Sequence, residues 1–283
     1  MKIFTSILSI QKEILSLKRK GKTIGFVPTM GALHEGHLSL LRRARKANDV
    51  VVMSIFVNPK QFGKNEDFHK YPRPKKSDEI LARREKVDMI FSPTDEIMYP
   101  SGYLTYVEVG QLGERLCGRL RPGHFRGVVT VVAKLLGIIQ PDAMYLGQKD
   151  AQQAVIIRQM ARDLNFPVRI EVCPTARGKD GLALSSRNAY LSPQERTKAL
   201  GIYRSLKAAK ALIQSGERKP AVVIKNIKAS IRRNVSPKID YVECVDPQML
   251  KPLKTIASDC LIAVAVRLGQ TRLIDNMAVK VSS

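Results

Sequence analysis

One stretch of sequence decides the fold of this chain, and it reads Thr23-Ile24-Gly25-Phe26-Val27-Pro28-Thr29-Met30-Gly31-Ala32-Leu33-His34-Glu35-Gly36-His37. The segment from Thr23 to Val27 is short and mostly apolar, which predicts a buried strand that ends at Pro28, because proline cannot donate to a sheet ladder. Two glycines then favour a turn, and apolar residues at helical spacing up to Ala47 predict a helix. Residues Val50 to Val57 are nearly all apolar, as in a parallel strand that is covered on both faces.

The same alternation of strands and helices continues along the chain. Further helices are predicted at Ile7 to Leu17, Ser77 to Lys86, Val128 to Ile139 and Ile157 to Leu164, and further strands at Met89 to Phe91, Ala143 to Leu146 and Val168 to Val172. This order indicates an α/β fold with a doubly wound parallel sheet. Ligands bind such sheets beyond the carboxyl ends of the strands, so we expect the loops after Val27, Val57, Leu146 and Val172 to share one crevice.

A second, smaller domain is predicted at the C-terminal end. The sequence Ser192-Pro193-Gln194-Glu195 has the pattern of a capping box, with proline in the first helical turn. Two helical stretches follow, broken near Gly216 to Pro220, and apolar runs at Tyr241 to Val245 and Leu261 to Val266 predict strands. We therefore expect a doubly wound α/β domain at residues 1–188 and a small α+β domain at residues 189–283.

Composition restricts the class of protein. The chain has 283 residues, of which 44% are hydrophobic, and no run approaches the ~18 consecutive apolar residues of a membrane span, so we expect neither disorder nor a membrane partner. The net charge of +23 favours anionic ligands. Nucleic acid is a rival partner, but basic residues are spread along the chain and aromatics make up only 6%, so none is expected. Four widely spaced cysteines fit a reducing cytoplasm better than a zinc or disulfide framework.

The strongest candidate site is the turn from Met30 to His37. Its glycines permit a close backbone approach, the following helix would offer free N–H groups and a positive dipole end, and the imidazoles of His34 and His37 could face the same phosphate oxygens. We interpret this turn as a triphosphate cradle. A surface turn or a metal pair is the alternative, but His-x-x-His without companion ligands is weak evidence for a metal.

Polar groups follow three other predicted strands. Asn58 and Gln61 are uncharged amides that suit a small polar substrate, although an ordinary Asn-Pro turn is equally compatible with them. Lys149, in Gly147-Gln148-Lys149-Asp150, suits a phosphate, unless it is a solvated lysine at a loop tip. The segment Leu184-Ser185-Ser186-Arg187 suits a second phosphate clamp or an interdomain linker.

One glycine- and arginine-rich segment lies between these loops. It runs from Leu116 to Gly127 and has the composition of a mobile lid that could carry positive charge over an anionic site. A solvated basic loop is the alternative, and the sequence does not choose between the two.

Taken together, five motifs resemble those of the pantothenate synthetases, ATP-dependent ligases that join pantoate to beta-alanine. The resemblance covers nearly the whole chain and rests on the His34/His37 loop, Asn58-Pro59-Lys60-Gln61-Phe62-Gly63, Arg121-Pro122-Gly123-His124-Phe125-Arg126-Gly127, Gly147-Gln148-Lys149-Asp150 with Gln153, and Leu184-Ser185-Ser186-Arg187-Asn188. Two positions depart from the family's commonest pattern, namely Gln148 in place of Glu and Leu184 in place of Met.

The resemblance implies a fold and a reaction. The fold is a Rossmann-like domain of the nucleotidylyltransferase type with a His-x-Gly-His loop. Members of the family are usually homodimers and are cytoplasmic. The reaction is the condensation of pantoate with beta-alanine through a pantoyl adenylate, with release of pyrophosphate and AMP and with Mg²⁺ held mainly by the ATP phosphates. A nucleotidylyltransferase that releases its adenylylated product, or a relative of the aminoacyl-tRNA synthetases, is the nearest alternative.

The resemblance also implies roles for individual residues. His37 would be the acid, Gln61 and Gln153 would hold pantoate, and Gln61 would also contact beta-alanine. The residue chemistry described above adds His34 and Lys149 as catalytic groups and Asn58 as a substrate contact. The implied ATP-binding residues are Met30, Gly31, Ala32, Leu33, His34, Glu35, Gly36, His37, Gly147, Gln148, Lys149, Asp150, Ala176, Leu184, Ser185, Ser186 and Arg187. No residue is assigned to a resident metal.

Overall fold

The computed structural model describes residues 1–64, 66–235 and 238–281. The strands are β1 (Lys2–Phe4), β2 (Ile24–Thr29), β3 (Val50–Ile55), β4 (Met89–Phe91), β5 (Ala143–Gly147), β6 (Arg169–Cys173), β7 (Lys238–Val245), β8 (Cys260–Leu268) and β9 (Thr271–Val279). The helices are α1 (Ile7–Arg19), α2 (Glu35–Ala47), α3 (Lys75–Arg84), α4 (Asp95–Met98), α5 (Gly110–Gly113), α6 (Cys117–Leu120), α7 (His124–Ile139), α8 (Ala151–Asp163), α9 (Pro193–Gln214) and α10 (Pro220–Val235). Short 3₁₀ helices lie at Pro59–Gln61, Gln148–Asp150 and Ser186–Tyr190.

The first six strands form one parallel sheet in the order β1-β4-β3-β2-β5-β6. The chain moves outward from β2 through β3 to β4 and then returns to add β5 and β6 on the other side. This reversal creates a topological switch point between β2 and β5, where ligands bind in such sheets. The predicted fold class is confirmed.

Strand β2 extends past Pro28, where the sequence predicted its end. Pro28 pairs in register with Ser54 of β3, whereas the pairing of β2 with β5 is confined to Gly25 and Phe26. The β5 side of β2 is therefore already open at Pro28, and a residue without an N–H is tolerated there.

The two faces of this sheet are buried against different helices. Alternate strand residues such as Phe26 and Val52 join a core with α1, α7 and α8, while Val27 and Met53 join a second core with α2 and α3. Because successive side chains point to opposite faces, a strand that is covered on both sides must be apolar throughout. This requirement explains the apolar run at Val50.

The C-terminal part consists of α9, α10 and an antiparallel sheet in the order β7-β8-β9. The predicted capping box is confirmed: the Ser192 hydroxyl accepts from the Glu195 N–H, and the Glu195 carboxylate accepts from the Ser192 N–H. One face of the sheet packs on α9 and α10, and the other places Leu261 and Ala263 in the core of the large sheet. The domain boundary between residues 188 and 189 stays a prediction.

Sequence patterns missed two strands. β1 has only three residues, and β9 interrupts its apolar pattern with polar residues such as Arg272, Asp275 and Asn276. Among the described residues, no helix is long and apolar enough to cross a membrane, and no group of three or more His, Cys, Asp or Glu side chains is arranged to hold a metal ion.

Candidate functional site

The carboxyl ends of the central strands open into a cavity of about 1340 Å³. Residues from all four predicted loops line it, including Met30 after β2, Gln61 after β3, Lys149 after β5 and Ala176 after β6. The expectation of one shared crevice is therefore confirmed. We refer to this space as the central cavity.

Thr29 and Asp78 hold the turn after β2 in place. The Thr29 hydroxyl donates to the Ser54 carbonyl at 2.7 Å and accepts from the Gly31 N–H at 3.1 Å. The buried carboxylate of Asp78 on α3 accepts from the N–H groups of Ala32 and Leu33, at 2.9 and 2.7 Å. Burial raises the pKa of Asp78, although both N–H groups favour its charged form.

The turn has no room for a side chain at Gly31. Its φ is +79°, and a Cβ atom there would lie 2.9 Å from the Asp78 carboxylate. Asp78 escaped the sequence analysis because α3 is mostly charged. The available signal was its position four residues before the buried Ala82, which places both residues on the same helical face.

The two histidines interact closely, with ring centroids 4.1 Å apart. His34 caps α2, and its Nδ1 accepts from the Gly36 N–H at 3.1 Å, while Nδ1 of His37 accepts from the His34 N–H at 3.3 Å. A neutral imidazole that accepts at Nδ1 carries its hydrogen on Nε2. Each ring therefore has one N–H left to donate.

Both imidazoles are neutral near pH 7. Burial, together with the positive charge of Lys149, lowers the pKa of His34 to about 4. Burial and the neighbouring His34 ring lower the pKa of His37 to about 3. The charge of Lys149 acts on both rings, so the β2–α2 turn and the β5–α8 loop share one electrostatic environment as well as one cavity.

The structure corrects one part of the predicted phosphate cradle. The first N–H groups of the following helix were expected to be free, but those of Gly36 and His37 donate to protein acceptors. The N–H groups of the preceding turn, at Gly31, Ala32, Leu33 and His34, are also occupied. The turn is rigid because these donors are satisfied internally. Hydrogen bonds to an anion must therefore come mainly from side chains.

Lys149 lies just beyond the carboxyl end of β5, in the 3₁₀ helix Gln148–Asp150. Its Nζ is 3.4 Å from the Asp150 carboxylate, and its side chain is 20% exposed. The only partner of the ammonium group among the described residues is thus a carboxylate at the far end of hydrogen-bonding distance. An incoming phosphate can replace or share this contact.

Asn58 is buried and uses its amide within the protein. Its Nδ2 donates to Gln61 Oε1 at 3.1 Å and to the Gly127 carbonyl at 3.0 Å, and its Oδ1 accepts from the Tyr99 hydroxyl at 2.8 Å. This network turns Nε2 of Gln61 toward Met30, whose Sδ atom is 3.1 Å away. Gln61 is half-buried and lines the central cavity, whereas Asn58 is buried and positions the Gln61 amide.

The two adjacent glutamines of α8 have different surroundings. Gln152 is buried and donates to the carbonyls of Leu112 and Arg115, at 3.0 and 2.7 Å, and accepts from the Cys117 N–H at 2.9 Å. Gln153 lines the central cavity, and its amide has no protein partner within the described part of the chain. The cavity position of Gln153 is compatible with its predicted contact to substrate.

The predicted second clamp is joined to the β3–α3 loop. Arg187 makes a bidentate ion pair with Asp67, at 2.8 and 2.9 Å, and the Ser186 hydroxyl lies 3.0 Å from the Tyr71 hydroxyl. Arg187 keeps fewer donors for a phosphate than the sequence suggested. Sequence reasoning missed Asp67 as the partner of Arg187, because the two residues lie 120 positions apart.

The glycine- and arginine-rich segment is anchored in this structure. Arg121 donates to the Glu66 carboxylate from Nε and Nη2, both at 2.5 Å, and its Nη1 contacts His124 Nε2 at 2.8 Å. His124 Nδ1 in turn lies 2.8 Å from the Gln61 carbonyl. Burial beside Arg121 lowers the pKa of His124 to about 4, so this ring is neutral and donates from Nδ1. The segment therefore holds the backbone of Gln61 through its carbonyl group.

A family model described as pantoate-beta-alanine ligase matches residues 2–278. The chain belongs to the pantoate-beta-alanine ligase family. The pantothenate synthetase of Moorella thermoacetica is 53% identical over 282 residues, which span the whole of both chains.

Solved structures of the family agree with the fold. The crystal structure of pantothenate synthetase from Thermus thermophilus superposes with a TM-score of 0.93 at 44% identity, covering 98% of this chain and 99% of that one. The pantoate-beta-alanine ligase of Francisella tularensis, complexed with beta-gamma ATP and beta-alanine, superposes with a TM-score of 0.82 at 37% identity, covering 98% and 97%. Family membership makes this chain a ligase of pantoate and beta-alanine.

Replacing Asp78 by alanine removes the acceptor of two backbone N–H groups. We expect the free energy of unfolding to fall by about 1–3 kcal/mol and ATP binding to weaken, because the turn at Ala32 and Leu33 loses its support. Urea denaturation and calorimetric titration with ATP measure these effects. Glu79→Ala, on the same helix, is the matched control, because within the described part of the chain only the Asp78 carboxylate accepts from the N–H groups of Ala32 and Leu33. Equal ATP affinity in both variants would contradict the positioning role of Asp78.

The lowered pKa of His37 makes stability depend on pH. Between about pH 6.5 and pH 3 the unfolded chain binds a proton at this histidine that the folded chain does not, so stability decreases as pH falls. In His37→Gln we expect the slope of unfolding free energy against pH, near pH 5, to decrease by up to ~1.4 kcal/mol per pH unit. Denaturation at several pH values measures the slope, and identical slopes in the two proteins would be the contrary result.

Proposed function

We propose that the chain performs its family's reaction in two steps within the central cavity. In the first step the pantoate carboxylate attacks the α-phosphorus of ATP, which gives pantoyl adenylate and pyrophosphate. In the second, the amine of beta-alanine attacks the acyl carbon and displaces AMP. The observation that carries this proposal is that His34, His37 and Lys149 line the same cavity as the amides of Gln61 and Gln153.

Activation by ATP answers a chemical difficulty. A carboxylate is a poor acyl donor because its negative charge repels a nucleophile and its oxygen leaves badly. The adenylate removes the charge and supplies AMP as the leaving group. The protein needs no covalent intermediate, so its work is to align the two reactants and to stabilise charge on the phosphates.

Charge stabilisation falls to three side chains in this proposal. Lys149 supplies a positive charge, and His34 and His37 supply N–H donors from Nε2. With pKa values of about 4 and 3 before ATP binds, the two rings act as neutral donors near pH 7. The role of His37 as an acid stays a prediction of the family resemblance, and bound phosphates would raise its pKa toward that role.

The remaining predicted residues complete the two substrate sites. Gly147 to Asp150, Ala176 and Leu184 to Arg187 surround the nucleotide, with Arg187 shared between ATP and Asp67. Gln61 and Gln153 hold pantoate by their amides, and Gln61 also faces beta-alanine. Asn58 acts by fixing the Gln61 amide.

Mg²⁺ is the proposed companion of ATP. The described residues contain no cluster of metal ligands, and Asp150 is a single half-exposed carboxylate already 3.4 Å from Lys149. This donor set fits an ion that would be held mainly by the phosphates of ATP. Such an ion would neutralise phosphate charge during attack at the α-phosphorus.

The expected homodimer and the cytoplasmic location also belong to this proposal. The resemblance to the family supports both expectations. The four cysteines, which are free thiols in the structure, add support for the location only. Sedimentation of the purified protein measures the oligomeric state.

The first half-reaction tests the phosphate-binding residues. We expect Lys149→Ala and His37→Ala each to reduce pantoate-dependent exchange of pyrophosphate into ATP by roughly 10²- to 10³-fold, the size of effect seen when one preorganised donor is lost. Lys46→Ala removes an exposed charge from α2 outside the cavity and serves as the control. Wild-type exchange in Lys149→Ala would refute its assignment.

Gln61 is tested through pantoate. In Gln61→Ala we expect the KM for pantoate to rise by about tenfold or more, because a substrate oxygen is left unpaired, while the KM for ATP changes little. Steady-state kinetics of pantothenate formation give both constants. An unchanged pantoate KM removes Gln61 from the pocket.

A further inference from the structure

Strand β9 belongs to the C-terminal sheet and also lines the central cavity. There it makes hydrogen bonds to the loop that carries Lys149. Asn276 of this strand is 6% exposed. Its Nδ2 donates to two consecutive backbone carbonyls, those of Gln148 at 2.8 Å and of Lys149 at 2.9 Å. Its Oδ1 accepts from Nε2 of Gln148 at 3.1 Å. One amide therefore holds both the backbone and a side chain of this loop.

The orientation of the Asn276 amide is fixed by chemistry. Turning the amide over would place Oδ1 against two carbonyl oxygens and Nδ2 against the Gln148 amide N–H₂, and each contact would then join like groups. Both Nδ2 hydrogens are engaged by carbonyls, so this side chain has no donor left for a ligand. Asn276 lines the cavity, but its bonds are committed to the loop.

The preceding residue of β9 holds the next loop of the site. Asp275 makes a bidentate ion pair with Arg177, at 2.6 and 2.8 Å, and also accepts from the Asn276 N–H at 2.8 Å. Arg177 lies directly after Ala176, in the loop that follows β6. Two adjacent residues of one strand thus connect the loops after β5 and β6.

We propose that Asn276 is a positioning residue for the first half-reaction, acting through the backbone of Gln148 and Lys149. This inference rests on the proposed function. Lysine has a long flexible stem, so its ammonium group returns to one place only if the backbone from which the stem extends is held. Displacement of a catalytic group by about 1 Å can reduce a rate by about 10²-fold. The small antiparallel sheet thus contributes to adenylate formation, because its last strand positions the loop that carries Lys149.

Three variants test the proposal by pantoate-dependent pyrophosphate exchange: Asn276→Ala, Lys149→Ala and the double variant. We expect Asn276→Ala to lower the exchange kcat by about 10- to 100-fold, with little change in the KM for pantoate. In the Lys149→Ala background the same change should have an effect of about twofold or less, because the group that Asn276 positions is already gone.

Ser205→Ala is the matched control. Ser205 is buried in α9, outside the cavity, and its hydroxyl donates to the Ile202 carbonyl at 2.7 Å, so this variant also removes a side-chain bond to a backbone carbonyl. We expect it to lower stability and to leave exchange unchanged. Where Asn276→Ala does not fold, the isosteric Asn276→Asp keeps the packing and replaces both donors by an acceptor, and we expect an equal or larger loss of exchange.

The outcomes separate this inference from the function on which it rests. Wild-type protein without pantoate-dependent exchange would refute the proposed function. If the wild type is active, then equal exchange in Asn276→Ala, or the same fold loss with and without Lys149, would overturn the role of Asn276 alone. A loss that nearly vanishes in the Lys149→Ala background supports it.

Discussion

The pairing of β2 with strands on both sides is the constraint on which the rest of the structure depends. β3 and β5 both pair with β2, but the chain reaches them by crossovers that place α2 on one face of the sheet and α7 on the other. The two crossovers diverge at the carboxyl ends of the strands, and the space between them is the central cavity. The side chains of His34, His37, Lys149, Gln61 and Gln153 all line this cavity, and each comes from a strand end or from a segment that follows one. Five of the predicted ATP-binding residues do not line it, namely Gly31, Ala32, Leu33, Glu35 and Gln148.

Satisfied polar groups give the site its rigidity. Asp78 and Thr29 accept hydrogen bonds from backbone N–H groups of the β2–α2 turn, and Asn58 donates a hydrogen bond to Oε1 of Gln61. The groups that line the cavity are the two imidazoles, the Lys149 ammonium and the amides of Gln61 and Gln153. A site built in this way needs little reorganisation when charge develops on the substrates, because its donors are already held in place.

The C-terminal sheet supports the site in two ways. Its inner face contributes Leu261 and Ala263 to the core of the large sheet, and its last strand holds the loops after β5 and β6 through Asn276 and Asp275. Two of the polar residues that hid β9 from pattern analysis, Asp275 and Asn276, make these contacts. A strand that departs from apolar alternation can therefore mark a place where a sheet carries function.

The sequence by itself determined the parallel α/β sheet, because strands buried on both faces must be apolar and the helices between them must be amphipathic. It also determined the capping box at Ser192 and, through five motifs in order, the family. Only the tertiary structure decided that the backbone donors after β2 are occupied, that Arg187 is paired with Asp67, and that Asn276 holds Lys149. Asp67 and Arg187 are 120 positions apart, and Asn276 and Lys149 are 127 apart. No local pattern encodes such contacts, since they arise only when folding brings distant elements together and buried polar groups must find partners.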